Sequence, residues 1–325
     1  MIVTLTPNPA LDVTVETAVV RPGEKLRCTE VRYDPGGGGI NVARVAHALG
    51  AEAMAVFPVG GLTGRRVVHL MEAAGVPISP VTISGLVRES FTVDEASTGR
   101  QFRFVLPGPA LTAGEQRRLL DTFAQALGSD AYAVASGSLP PGVTADLYND
   151  VARIARDRGV RLALDSSGLG LNGLRTPVFL LKPSIRELSE LVSRSLATPD
   201  EQLAAARGLV DAGLAEVVLV SLAADGVLLV TATQHCRLPA IPVPPGSGVG
   251  AGDALVAGTV LGLDRGWPLS DAVAYGMAAA AAMLLSPGTA VCHQDDVDRL
   301  FASRPAAAGT SNAPDVCQDT PAGGR

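Results

Sequence analysis

A run of glycines that closes on an acid, Gly246-Ser247-Gly248-Val249-Gly250-Ala251-Gly252-Asp253, leads directly into an apolar stretch. A glycine-rich turn feeding a helix presents free backbone N–H groups at the positive end of the helix dipole, which suits an anion. Asp253 then stands beside any phosphate the turn holds. Two other readings fit the same residues. One is a plain helix start with a favourable acid in its first turn. The other is a loose dinucleotide fingerprint, Gly246-x-Gly248-x-x-Ala251, which here follows a proline-rich connection and lacks a convincing downstream ribose carboxylate. A second cluster, Gly36–Gly39 followed by Ile40-Asn41-Val42-Ala43-Arg44, lets the backbone approach a ligand closely and adds the donor and acceptor of Asn41; a flexible hinge is the alternative. Near the start, Pro9-Ala10-Leu11-Asp12 sets one carboxylate just beyond the first strand, either to bind a polyol hydroxyl or as an ordinary surface acid.

The basic residues are divided unequally. Only Lys25 and Lys182 are lysines among the 26 basic residues; the others are arginine. A net charge of -6 argues against a nucleic-acid partner, because binding a phosphate backbone needs a basic face. The 325 residues are 47% hydrophobic and 18% charged, enough to bury a core. Cys28, Cys236, Cys292 and Cys317 are far apart and form no CxxC pair, so neither a zinc site nor a disulfide framework is expected. The four histidines lack metal-ligand spacing. The N-terminus does not read as a signal peptide, and the longest apolar stretch, Val273–Leu285, is too short for a membrane span. A soluble cytoplasmic protein without a membrane partner is the expectation.

The elements that must position these residues follow from periodicity. From about Ile40 onward, short apolar runs alternate with helical patterns, the signature of a parallel sheet covered by helices on both faces. Strands are expected at Met54–Val59, Ala131–Ala135, Arg161–Asp165, Val178–Lys182, Val217–Ser221 and Val227–Thr231. Helices are expected at Ile40–Leu49, at Ala251–Leu263, at Leu269–Leu284 and after Thr112, where Thr112-x-x-Glu115 forms a capping box. Two segments break the rhythm: 13–33 and 81–106 are rich in β-formers and poor in helix signals. They read as a small sheet that lies over the ligand edge of the main one and excludes water there. The core therefore spans 1–302, and residues 303–325, rich in Ala, Pro, Gly, Ser and Thr, read as a disordered tail.

In chain order the clusters are Asn8–Asp12, Gly36–Arg44, Ser136–Gly142, Asp165–Gly168, Lys182–Glu187, Ser221–Gly226 and Gly248–Asp253. Their order and spacing resemble the PfkB family of sugar kinases. The resemblance implies a ribokinase-like α/β fold, three-layer α/β/α with a mostly parallel central sheet and a small β-sheet lid. It also implies transfer of a phosphoryl group from ATP to the primary hydroxyl of a sugar phosphate. Gly23–Thr29, the four-glycine run and Gln101–Gly108 are most like the members that act on fructose 6-phosphate. Relatives acting on fructose 1-phosphate or tagatose 6-phosphate usually carry a lysine where this chain has Gly38.

On that resemblance Asp253 is the catalytic base, and the N–H groups of Gly250, Ala251 and Gly252 steady the transferring phosphoryl. An ordinary carboxylate with a pKa of about 4 suffices as base, because positioning and charge neutralisation dominate this reaction. Asp12, Gly37, Gly38 and Asn41 hold sugar hydroxyls. Arg88, Lys25 and Arg27 clamp the phosphate already on the substrate. Lys182, Ser184, Ser221 and Gly226 belong to the nucleotide site, and Asp165 and Glu187 position Mg2+, with a monovalent cation also allowed. A homodimer through the β-lid is implied as well. Three departures from the family pattern are present. Ser184 replaces an asparagine, which is expected to weaken magnesium binding, Ala223 replaces a glycine near the nucleotide, and Glu89 places an acid next to Arg88 in the chain. Together they leave open a non-catalytic sugar-phosphate sensor.

Overall fold

The structure, a computed structural model, describes all residues except 30, 130, 245, 287–289, 304–317 and 320–325. Its strands are β1 (Ile2–Leu5), β2 (Ala10–Thr17), β3 (Arg32–Gly36), β4 (Ala53–Val59), β5 (Ile78–Thr82), β6 (Arg88–Glu95), β7 (Arg100–Val105), β8 (Tyr132–Ser136), β9 (Arg161–Asp165), β10 (Val178–Leu181), β11 (Ala215–Ser221), β12 (Val227–Thr231), β13 (Gln234–Leu238) and β14 (Gln318–Asp319). Its helices are α1 (Gly38–Ala48), α2 (Gly61–Ala73), α3 (Ala113–Ala126), α4 (Asp146–Asp157), α5 (Gly168–Asn172), α6 (Ile185–Leu191), α7 (Pro199–Asp211), α8 (Ala251–Asp264), α9 (Leu269–Leu284) and α10 (Gln294–Ala302).

The main sheet runs β14-β13-β12-β11-β10-β9-β8-β1-β4-β5. It is parallel from β11 to β5 and antiparallel only at the β12–β14 end. Side chains alternate between its faces with the period of two that a strand imposes. Val3, Leu5, Ala133, Ala135, Leu162 and Leu164 pack with α3, α4 and α7, whereas Ile2, Val134, Ala163 and Leu180 pack with α1, α8, α9 and α10. The result is a helix–sheet–helix sandwich, as the alternating pattern predicts. The capping box at Thr112 and Glu115 is present, and equivalent boxes start α6 at Ser184/Glu187 and α7 at Thr198/Glu201.

A second sheet, β3-β2-β6-β7, projects from the body. It is the expected lid with corrected limits. Its first strand begins at Ala10, and the described residues between β2 and β3 carry no strand, although valines lie there. Val81 belongs instead to β5 of the main sheet. Leu11 and Val13 at the base of the lid pack against Ile40, Phe57, Val67 and Met71, which joins the lid to α1, α2 and β4. Of the expected tail, Ser303 caps α10 and Gln318–Asp319 pair with β13; the rest lies outside the described residues. Cys28 and Cys292 are free, but Cys236 on β13 is disulfide-bonded, against the expectation from spacing. Among the described residues, no helix is long and apolar enough to cross a membrane.

Candidate active site

Because β1 leads to β4 on one side and pairs with β8 on the other, the order of the main sheet reverses beside β1. In open α/β sheets, ligands bind outside the carboxyl ends of the strands at such a reversal. The chemistry-bearing clusters all emerge there: Asn8 after β1, Gly137 and Ser138 after β8, Asp165 at the end of β9, Lys182 after β10 and Ser221 at the end of β11. The lid folds over this edge, and between lid and body lies an open cleft of about 250 Å³. From the lid it is lined by Asp12, Arg88, Ser90 and Arg103, and from the body by Gly38, Asn41, Ser136, Asp165, Glu187 and Asp253. A larger groove of about 800 Å³ crosses the opposite ends of β9, β10 and β11, but it gathers no comparable set of polar groups.

Asp253 lies in the first turn of α8. Its Oδ2 accepts a hydrogen bond from Asn41 Nδ2 at 2.9 Å, and its Oδ1 one from Ser136 Oγ at 3.5 Å. Burial and the nearby Asp165 carboxylate push its pKa up from 3.8 to about 7, against the opposing pull of Asn41, Lys182 and Ser136. The expectation of an ordinary carboxylate is therefore wrong. Desolvation strengthens Asp253 as a proton acceptor and tunes it near neutrality, where a general base works best. α8 is held in place by close packing on α9: a Cβ at Gly258 would fall 2.7 Å from Gly276 Cα.

No side chain caps α8. Gly250, at φ +79°, turns the chain into the helix, so the amides of the first turn face outward. Ala251 N–H is already used, donating to Gly248 O at 3.3 Å. Lys182 Nζ lies 3.7 Å from where a Cβ on Gly252 would stand. A buried ammonium and a helix N-terminus therefore face the same space, which favours an anion there. Lys182 pairs with Asp165 at 3.1 Å. Burial alone would lower the lysine's pKa, but Asp165, with Glu187 and Asp253, raises it and keeps the ammonium charged.

On the lid, β2 pairs with β6 so that Asp12 faces Ser90. Burial, reinforced by Asp34, pushes Asp12 up to about 6, while Arg88, Arg103 and Arg44 pull it down. The Arg88 guanidinium is oriented by donating to Ser90 Oγ at 3.3 Å, Leu106 O at 3.2 Å and Asn8 O at 3.3 Å. Glu89 is not beside this clamp. It points to the other face of β6, as the pleat requires, and does not line the cavity. The glycine run fits tightly below: Gly37 has φ +111°, and a Cβ on Gly38 would fall 2.0 Å from Ser136 Oγ. At its tip the lid touches the loop before α8, because Gln101 Nε2 donates to Ser247 Oγ at 3.3 Å as well as to Asp94 Oδ1 at 2.9 Å.

Nine of the residues singled out in the sequence line this cavity: Asp12, Gly37, Gly38, Asn41, Arg88, Asp165, Glu187, Gly250 and Asp253. Lys182 and Gly252 adjoin it through the contacts above. Ser184 is spent as the N-cap of α6, accepting from Glu187 N–H at 3.2 Å while Glu187 Oε2 accepts from Ser184 N–H at 2.7 Å. Ser221 bridges to Ser184 outside the cavity, and Gly226 is packed against Leu238 O. Lys25 and Arg27 are exposed between β2 and β3 and do not line the cavity of their own chain. Arg103 and Ser90 were missed. Arg103 alternates with Phe102 and Phe104, so the period of two was the signal that one face of β7 is polar.

The model of the pfkB family of carbohydrate kinases matches residues 8–296. The chain belongs to this family. It is 56% identical over 300 residues to an ATP-dependent 6-phosphofructokinase isozyme 2 of Mycobacterium tuberculosis strain H37Rv, covering 92% of this chain and 88% of that one. The crystal structure of phosphofructokinase-2 from Escherichia coli in complex with fructose-6-phosphate superposes with a TM-score of 0.87 at 39% identity, covering 93% of this chain and 98% of that chain. An Arabidopsis thaliana ribokinase complexed with ribose and ATP matches at TM-score 0.72 and 18% identity, over 92% of this chain and 98% of that one, and bears on fold alone. The architecture is thus ribokinase-like, and the protein is a phosphotransferase of the sugar-phosphate kinase type.

Proposed function

We propose that the protein is an ATP-dependent 6-phosphofructokinase, transferring the terminal phosphoryl group of ATP to the 1-hydroxyl of fructose 6-phosphate and releasing fructose 1,6-bisphosphate and ADP. The observation that carries this reading is the meeting, in one open cleft under the lid, of the uncapped α8 start and Asp253 with the lid's carboxylate and two arginines. Asp253 accepts the hydroxyl proton as the oxygen attacks phosphorus. The α8 amides and Lys182 oppose the charge on the transferring group. Arg88 and Arg103 hold the phosphate already on the sugar, and Asp12, Asn41 and the Gly37–Gly38 backbone hold its hydroxyls. Ser184, Ser221 and Gly226 border the nucleotide.

Magnesium fits the donor set. Among the described residues no group of three or more acidic, histidine or cysteine side chains could hold a metal alone. Magnesium typically uses one or two carboxylates and takes its other ligands from phosphates and water. Asp165 and Glu187 would hold it, and it would supply neutralisation of the ATP phosphates.

The lid also supports a homodimer. Phe91 on β6 and Phe104 on the edge strand β7 are register partners on its outer face, 36% and 55% exposed. Lys25 and Arg27 then serve the acceptor phosphate only from a partner's lid. Sedimentation that finds only monomer at micromolar concentration removes both statements. The functional reading is tested by comparing kcat/KM for fructose 6-phosphate, fructose 1-phosphate and tagatose 6-phosphate with ATP and magnesium. Fructose 6-phosphate is expected to lead, and turnover of another acceptor in preference to it would overturn the assignment.

A further inference from the structure

The lid crosses to the body at residues 6–9, at 37, at 83–87 and at 106–112. Two of these crossings converge on one side chain. Glu115, in the first turn of α3, is buried, and the hydrogen bonds to its carboxylate come from neutral donors, Ser84 and Thr112. Its Oε1 accepts from Ser84 N–H at 2.7 Å and from Ser84 Oγ at 3.0 Å, both on the incoming crossing. Its Oε2 accepts from Thr112 N–H and Thr112 Oγ1, each at 2.8 Å, on the outgoing crossing. One carboxylate thus ties the strand entering the lid to the strand leaving it.

The surrounding backbone admits little slack. A Cβ on Gly60 would fall 1.8 Å from Gly85 O, and one on Gly108 would fall 2.0 Å from Asn8 Oδ1. Val87 N–H donates to Gly60 O at 3.1 Å, and the next residue, Arg88, donates across to Leu106 O. The direction in which Arg88 points is therefore set where these crossings meet.

We propose that Glu115 is a positioning residue that locks the two lid crossings together and, through them, aims Arg88 and Arg103 at the phosphate of the acceptor. The proposal rests on the functional reading above. The capping box explains only the Thr112 half of the arrangement; the Ser84 half has no part in starting a helix. The hydrogen bonds, with Ser84 N–H the strongest, hold the Glu115 pKa down at about 2, so the lock stays charged throughout the working range. A neutral glutamine has one acceptor oxygen, so it can serve Ser84 or Thr112. In either orientation its NH2 group confronts a backbone N–H of the other crossing.

The test is Glu115→Gln, with Ser84→Ala as a milder variant that removes one hydroxyl from an exposed position. Saturating acceptor draws the lid into place, so the effect falls on the acceptor KM and spares kcat. In Glu115→Gln the acceptor KM is expected to rise about ten-fold, and in Ser84→Ala about three-fold, with kcat and the KM for ATP within about two-fold of wild type. In the ligand-free protein, amide exchange in β6 and β7 should quicken by a similar factor while β8 and β9 keep their rates. A folded Glu115→Gln protein with wild-type acceptor KM and wild-type lid exchange would overturn the proposal. So would a rise of the ATP KM as large as that of the acceptor KM, which marks general loosening. If Glu115→Gln does not fold, the same two measurements on Ser84→Ala decide the matter. A wild-type protein inactive on fructose 6-phosphate defeats the functional reading and leaves the exchange measurement intact.

Discussion

Replacing Asp253 with asparagine should sharply lower turnover and at the same time stabilise the protein, by an amount that depends on pH. The carboxyl has a pKa of about 7 in the fold against an ordinary 3.8. The folded state therefore binds this proton more tightly than the unfolded chain. Its contribution is least unfavourable at low pH, and stability is lost as pH rises from 3.8 until it levels off above about 7. Integrating the two titrations gives a folding cost of about 2 kcal/mol at pH 5 and about 4 kcal/mol at pH 8. These are upper values, since Asp253 keeps some contact with solvent. Asparagine retains an oxygen to accept from Asn41 and carries no charge to desolvate or to repel Asp165. Urea unfolding of both proteins at the two pH values measures the difference, and loss of the base should lower kcat by about 10²–10⁴. The reasoning is refuted if the variant is less stable than wild type, or if its gain is the same at both pH values.

Three further outcomes are expected. Lys182→Met leaves Asp165 buried without its ammonium and should destabilise the fold by about 3–5 kcal/mol, with Lys182→Met/Asp165→Asn recovering most of that loss but not activity, as urea titrations and assays will show. The acceptor KM should rise as pH falls through about 6, where Asp12 becomes protonated. The substrate phosphate titrates in the same range, so the decisive comparison is Asp12→Asn, whose profile should retain only the substrate's share. Ala223 sits at φ +53°, a conformation costly for an L-residue. Ala223→Gly should therefore raise stability by about 0.5–1 kcal/mol in thermal or urea unfolding, the strain relieved less the added freedom of the unfolded chain.

The central sheet was legible because its strands are buried on both faces and its helices carry strong signals: β9, β12 and α9 fall within the residues expected of them, and the box at Thr112 marks the start of α3. The lid was visible as a break in that rhythm, but its limits were not. Valines in 18–31 and at Val81 have β-propensity without a strand partner that the sequence could reveal in the lid. Several residues announced by glycine or by local motif, among them Gly38, Asn41, Gly250 and Asp253, do line the cavity. Cavity-lining residues set by the pleat were not visible, as with Arg103, or were misjudged, as with Glu89, which neighbours Arg88 in the chain yet faces away from the cavity. The elevated pKa of Asp253 was beyond reach for a different reason. It arises from burial and from Asp165, and neither proximity is encoded in local sequence.

The contact between Gln101 on the lid and Ser247 before α8 joins the lid to the loop before α8; on the proposed assignment, its two ends belong to the acceptor and to ATP. A bond made only when lid and loop are docked places both substrates in a single equilibrium. Thermodynamic reciprocity then applies: whatever factor bound nucleotide lends to acceptor affinity through this contact, bound acceptor must return to nucleotide affinity in equal measure. On that assignment, the response to one substrate becomes a readout of the concentration of the other.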